Sequence, residues 1–432
     1  MNPITVIQLS NQLGLGGTER NLQNITYTLD RKEYAIHSVG YYRLGARAKL
    51  LADHGYPVHD CQGSLDIWKD LLATLKPKIV IFHRSGLGSE TETAILGLAH
   101  QARATIYEVN VFGQPDHFNG DQFIDGHIHV SWFSFLKYLR LARLNRSPHR
   151  ARVLEKHRVI YNGVDIEQFD NLVQQSNREA LRNAAHINPT NIMLTRIARP
   201  DLNKWDDAWI TAAQGIIRRI PAVRFVLRAA PPTRVPFIKR MLKNNVVLLP
   251  PTESDREIID TYVMSDILFH TSKIGESFGY TLAEAMLSRL PVLVNATYFP
   301  RDSAQMELIT HRHNGMVAKS VAGLIQGSVE LAQNSELRKQ YGDRGRTRTE
   351  DVFAIQHTIR DLEAFLRAHV TYSLNEETLQ HYERQYYEAC HCTLEHEPLF
   401  HWTSGLLADF LHYWAWRGVY TIYDRFPAHP KN

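Results

Sequence analysis

DILFHTSKIGESFGYTLAEAMLSRLPVLV, residues 266–294, passes from an apolar run into a glycine-bearing loop, then a helix-like segment, then a second apolar run. That order is the strand–loop–helix–strand unit of a parallel sheet. Within it Glu276 and Glu284 stand eight positions apart. With a helix starting near Thr281, Glu276 belongs to the loop and Glu284 to the first helical turn, next to any ligand at the helix N-terminus. Carboxylates accept paired hydrogen bonds from vicinal diols, which a sugar ring and a ribose both display, and Gly279 allows close backbone approach. A loop acid and an N-terminal helix acid explain the same spacing equally well.

The same unit recurs along the chain. Apolar, β-branched runs ITVIQL, AIHSVGYY, KIVIFH, ATIYEVNV, GHIHVS and RVIYN occupy the first 162 residues, and NIMLTRIA, VRFVLRAA, NVVLLP, DILFHTS and PVLVNA follow from Asn191. Between the two series lies GVDIEQFDNLVQQSNREALRNAAHINPTN, polar and strandless, read as a linker plus the first helix of a second domain. A length of 432 residues with 44% apolar content fills two cores. The 49 basic and 45 acidic residues leave a net charge of +4, too mild to point to nucleic acid. Three cysteines, Cys61, Cys390 and Cys392, make no disulfide framework, and MNPITVIQLSNQ lacks a signal-peptide core, so a reducing, cytoplasmic setting is expected. No apolar run reaches the roughly 20 residues that cross a bilayer.

In tandem doubly wound domains, ligands bind outside the carboxyl ends of the strands. After the first strand, NQLGLGGTERNLQNITYTL opens a helix with Gly14, Gly16 and Gly17. Such a turn brings free N–H groups and a helix dipole to a phosphate, or is simply tight. Its spacing departs from GxGxxG, and the second strand ends at Tyr41-Tyr42-Arg43 with no acid for a ribose, which excludes the nicotinamide reading. RIARPDLNKW carries Arg199 and Lys204 just past a strand, a suitable pair for a diphosphate and, taken alone, ordinary surface charge.

Taken in order, GLGGTER, YNGVDIEQF, RIARPDLNKW, DILFHTSKIGESFGYTLAEAMLSRLPVLV and ELITHRHNGMVA make residues 14 to about 320 resemble the retaining nucleotide-sugar glycosyltransferases of family 4. The resemblance implies a GT-B fold: two Rossmann-like doubly wound parallel-sheet domains facing a cleft. It implies an acceptor domain over 1–170, a donor domain over 171–350, and a closing helix over 351–370 that crosses back to the first domain. Residues 371–432 form an aromatic-rich C-terminal extension outside the resemblance.

Carried over by position, Glu276 and Glu284 form the E-x7-E signature, the first on the donor sugar and the second on the ribose. Arg199 and Lys204 hold the diphosphate, Gly16 and Gly17 abut it, and the N–H groups of Phe278, Gly279 and Tyr280 complete the site. No metal or cofactor is expected, the nucleotide sugar being a substrate. The implied enzyme is a hexosyltransferase using a UDP- or GDP-sugar and a saccharide or lipid-linked acceptor, with a role in cell-surface polysaccharide or lipopolysaccharide synthesis. A sugar-nucleotide epimerase and a non-catalytic sugar-nucleotide-binding partner are the competing readings. The chain departs from the family where Asn110 replaces a histidine that contacts the donor sugar, where Thr271 replaces a proline, and where Ser277 replaces the glycine of EGFG. His83, at the exit of KIVIFHRSG, is a further cleft candidate or a structural histidine.

FLKYLRLARLNRSPHRARVLEKHR spaces Lys137, Arg140, Arg143 and Arg146 three apart, a basic stripe that is either a solvated face or a peripheral contact with anionic lipid. In the tail, CHCTLEHEPLFH groups Cys390, His391, Cys392, His396 and His401, but its C-x-C gap does not suit zinc. LLADFLHYWAWRGVYTIYDRF beyond it packs on the body, joins a second chain or rests at a membrane interface.

Overall fold

The computed structural model describes residues 3–142, 144, 154–202, 204–205, 207–297, 299–367 and 376–391. The apolar runs form two wholly parallel sheets. The first has seven strands: β1 (Ile4–Gln12), β2 (Tyr34–Arg43), β3 (Val58–Asp60), β4 (Ile79–Arg84), β5 (Thr105–Asn110), β6 (Gly126–His129) and β7 (His157–Val159). Their order is β3-β2-β1-β4-β5-β6-β7. The second has six: β8 (Ile192–Ile197), β9 (Val223–Arg228), β10 (Val246–Leu249), β11 (Ile267–His270), β12 (Val292–Asn295) and β13 (Gly315–Ala318), in the order β10-β9-β8-β11-β12-β13. Two strands, β3 and β13, lie outside the runs read from the sequence.

Helices cover both faces of each sheet, so central strands are buried on both sides and read as continuous apolar runs. In both sheets the winding direction reverses between two adjacent strands, β1 and β4 in one, β8 and β11 in the other. A crevice opens at each such reversal, and the loops leaving β1, β8 and β11 carry the glycine turn, the Arg199–Lys204 segment and Glu276.

The linker segment forms two short helices, Ile166–Gln174 and Arg178–Ala184, each capped by a side chain, Asp165 and Asn177. The helix Ile355–Arg367 lies on the first domain: Phe365 meets Tyr107 edge to ring at 5.2 Å, and Thr358 Oγ1 donates to the Tyr161 carbonyl at 2.9 Å. The helix Glu376–His391 packs on helix Trp132–Leu141, with Tyr382 stacked on Trp132 at 4.8 Å. Cys392, His396, His401 and the aromatic segment after them lie outside the described residues, as do Arg143 and Arg146.

The stripe of basic residues is corrected at its first member. Lys137 is buried, and its Nζ donates to Asp302 Oδ1 of the second domain at 2.6 Å, so it seals a domain contact instead of facing lipid. Arg140 lays its guanidinium over Phe299 at 4.1 Å. Among the described residues no helix is long and apolar enough to cross a membrane.

Polar groups are concentrated at the carboxyl ends of β4–β6. Arg84, fully buried, reaches Glu108 at 2.8 Å, Asp116 at 2.7 Å, Glu92 at 3.1 Å and Asp121 at 3.3 Å. It ties the 110–125 loop to the sheet. Glu108, Asp121 and His127 have ligand atoms close enough for a cation, but Arg84 already answers the charge of the two acids.

Beside this cluster His129 Nε2 and His157 Nδ1 are 2.9 Å apart. Burial pushes His129 and His83 down to about 3 and moves His157 in the same direction. These rings fold neutral, whereas the unfolded chain protonates them near pH 6.5. Stability is therefore complete above that pH and falls as pH drops toward 3, by up to about 1.4 kcal/mol per pH unit per group. Urea unfolding at pH 7 and pH 5 is expected to show a clearly lower midpoint at pH 5; an equal or higher midpoint contradicts the burial of these rings as neutral groups.

Candidate functional site

The loop after β11 is held by its glycines. Gly275 has φ +76°, and a Cβ there would lie 1.7 Å from the Asp302 carbonyl oxygen, so no other residue fits without moving the backbone. Gly279, at φ +101°, is the N-cap of helix Tyr280–Leu287. That helix starts one residue before the sequence suggested, which makes Glu284 its fifth residue, just past the first turn. The donors Ser131 Oγ and Ser134 Oγ, both from the first domain, meet the Ser277 carbonyl at 2.8 and 3.1 Å, pinning this loop to the opposite domain.

Glu276 and Lys204, read from the sequence as separate cleft residues, meet directly. Lys204 Nζ donates to Glu276 Oε1 at 2.8 Å and to the Gly275 carbonyl at 2.8 Å. His270, from the end of β11, places Nε2 2.9 Å from the same Oε1. Burial holds the His270 ring below its ordinary pKa, so it is neutral and presents an N–H to the carboxylate. Burial alone raises the Glu276 pKa; the Lys204 charge and the His270 contact outweigh it and hold the carboxyl well below the usual range. Two donors converge on Oε1, while Oε2 has no hydrogen bond among the described residues. A fixed, ionised carboxylate with one oxygen open is suited to accept from a hydroxyl.

Arg196, a buried arginine inside β8, supports this pair. Its guanidinium donates to Thr271 Oγ1 at 2.8 Å and to the Lys204 carbonyl at 2.6 Å, and lies over the Trp205 ring at 4.4 Å. Thr271 thus supplies an acceptor for Arg196. Arg199 is exposed, with no ion pair among the described residues. Its carbonyl accepts from Trp205 Nε1 at 2.8 Å.

The glycine turn reaches this loop from the other side. A Cβ at Gly17 would lie 3.4 Å from Tyr280 Cδ2, so the N-terminal ends of helix Gly17–Thr28 and helix Tyr280–Leu287 meet at the cleft. Gly16 is the N-cap of the first. Phe278 is buried against Phe353 and Tyr280 and anchors the loop in the apolar interior. Glu284 is also buried; it accepts from Tyr262 Oη at 3.0 Å, and Arg20 of the first domain is 3.7 Å from its Oε1.

Two candidates do not join this group. His83 is buried, with Nε2 2.9 Å from Gln8 Oε1 and its basicity suppressed by burial, so it is a structural histidine of the sheet and not an acid–base group. Asn110 is buried too: its Nδ2 donates to the Gln114 carbonyl at 2.7 Å and its Oδ1 accepts from Gln114 N at 3.1 Å. Both ends of that amide take part in closing the 110–114 turn.

Sequence reasoning missed Arg20, Arg196, His270 and Glu307. Glu307 is buried at the N-terminus of helix Trp132–Leu141, where it accepts from Trp132 N at 3.1 Å, Phe133 N at 2.9 Å and Tyr161 Oη at 2.6 Å, docking one domain on the other. The available signals were a charged residue inside an apolar strand for Arg196 and an acid inside ELITHRHNGMVA for Glu307.

Two doubly wound parallel-sheet domains, facing each other across loops from their winding reversals, constitute the GT-B glycosyltransferase architecture. Residues 178–348 match the family model described as glycosyl transferases group 1. Among solved structures, the chain is similar to Anabaena HepE in complex with UDP-glucose, at 18% identity and TM-score 0.66, over 84% of this chain and 99% of that one. It is similar to a glycosyltransferase from Rickettsia africae at 15% identity and TM-score 0.67, over 85% and 100% of the two chains. WaaG, a glycosyltransferase involved in lipopolysaccharide biosynthesis, matches at 14% identity and TM-score 0.58, over 84% of this chain and 100% of its own. No curated protein matches by sequence.

Proposed function

We propose that the protein is a retaining, metal-independent glycosyltransferase of family 4 that moves a hexose from a nucleotide sugar, most simply a UDP-sugar, to a hydroxyl of a saccharide or lipid-linked saccharide. The observation that carries this reading is the Lys204–Glu276–His270 constellation at the reversal between β8 and β11, with no hydrogen bond on Glu276 Oε2 among the described residues. Glycosyl transfer builds negative charge on the departing diphosphate and positive charge on the sugar. Lys204 and the exposed Arg199 stabilise the first, and the ionised Glu276 fixes a hydroxyl of the second. The N–H groups at the start of helix Tyr280–Leu287 face the same anion, with Gly16 and Gly17 opposite. Domain contact over the donor excludes water and limits hydrolysis.

The UDP-glucose bound by HepE supports the choice of donor, and WaaG supports a cell-surface polysaccharide or lipopolysaccharide product. A thermal-shift screen across UDP-, GDP- and ADP-sugars tests the reading, because a ligand of the native state raises Tm by mass action. A UDP-sugar is expected to raise Tm equally with and without EDTA. No shift from any nucleotide sugar contradicts the proposal, and a shift that needs a divalent cation removes metal independence.

A further inference from the structure

Arg20 is the fourth residue of helix Gly17–Thr28, one turn behind the glycine loop. Its guanidinium leaves the first domain and ion-pairs with Asp255, in the first turn of helix Asp255–Val263, while its second nitrogen is 3.7 Å from Glu284 Oε1. Arg20, Asp255 and Glu284 line one pocket between the domains, together with Asn24, Gln168 and Ile259. Arg20 and Asp255 are about a quarter exposed, so the pair sits at a mouth that solvent and ligand both reach. Neither residue is part of the Lys204–Glu276 constellation.

Without Arg20, two carboxylates would face each other at this mouth. Burial raises the Glu284 pKa and Asp255 adds to the rise, whereas Arg20 opposes it. A carboxylate that must accept from a diol has to stay ionised. The Arg20 cation therefore has two consequences: it links the domains through Asp255, and it keeps Glu284 an acceptor.

We propose that Arg20 is a positioning residue for the nucleotide end of the donor: its bridge to Asp255 holds the cleft closed there, and its charge keeps Glu284 competent for the ribose diol. The proposal rests on the donor reading of Glu284. Arg20 acts on donor capture and leaves the departing diphosphate to Lys204 and Arg199.

Its signature is a split between binding and turnover. Arg20→Ala and Asp255→Ala are each expected to raise the KM for UDP-glucose about tenfold with kcat changed less than threefold, as expected when interactions common to ground and transition states are lost. In the double variant KM should exceed that of either single by less than threefold, because both act through one contact. Arg20→Lys should recover part of the loss. Multiplying effects in the double variant, or an unchanged KM in Arg20→Ala, overturn the proposal. Small-angle scattering of the ligand-free protein provides an arm independent of the donor: Arg20→Ala should have a larger radius of gyration than wild type, and an equal one overturns closure. A larger radius together with no binding of nucleotide sugars by wild type sustains closure and rejects the donor reading.

Discussion

Lys204→Ala is expected to lower donor turnover by roughly two to three orders of magnitude, the loss of about 2.7–4 kcal/mol seen when one preorganised charge-stabilising donor is removed from a transition state. The substitution removes the cation closest to the proposed leaving group and one of the two donors on Glu276 Oε1, leaving His270 in place. Most of the effect should fall on kcat, because charge on the diphosphate grows as the anomeric bond breaks. Lys204→Arg should restore little. The Nζ sits 2.8 Å from both Glu276 Oε1 and the Gly275 carbonyl, a point-donor geometry that a planar guanidinium does not reproduce. Measured kcat within threefold of wild type in Lys204→Ala would remove Lys204 from the mechanism.

Arg84→Ala is expected to destabilise the protein by about 3–5 kcal/mol at pH 7, because removing one partner of a buried ion pair leaves uncompensated charge. Glu108 and Asp116 are almost completely buried around the guanidinium; burial alone raises the Glu108 pKa, and the Arg84 charge together with the His127 contact outweighs it and holds the carboxyl down to about 2. Arg84→Met separates charge from volume: it fills much of the space and should be nearly as destabilised. Chemical denaturation reads both variants. A loss below about 1 kcal/mol, the range of an exposed pair, would contradict the burial of this cluster as an ion-pair network.

The sheets were legible because a parallel strand covered on both faces must be apolar along its length, and every run of four or more such residues read in this way corresponds to a strand. The exceptions follow from the same physics. Val58–Asp60 is a three-residue edge strand with only half-buried side chains, and Gly315–Ala318 begins with a glycine and follows a polar turn. Neither generates the pattern.

In the candidate site, the placement of Lys204 and Glu276 at strand exits was legible; that they meet follows from β8 and β11 being neighbours at the winding reversal, which delivers neighbouring loops. His83 and Asn110 also stand at strand ends. Position along a strand does not reveal whether a side chain faces the cleft, and theirs are taken up by Gln8 and Gln114. Arg20, Glu307 and Lys137 remained hidden for another reason. Their partners Asp255, Trp132 and Asp302 lie between 165 and 235 residues away, across the domain boundary, where no local pattern records the contact.

Turnover of a nucleotide sugar through the Lys204–Glu276 pair is tested most directly by NMR of purified protein incubated with UDP-glucose, in EDTA and without acceptor. The expected result is slow release of UDP and glucose by wild type, abolished in Lys204→Ala and in Glu276→Ala. Conversion of the donor to its epimer, or UDP-glucose left unchanged by wild type, would contradict it.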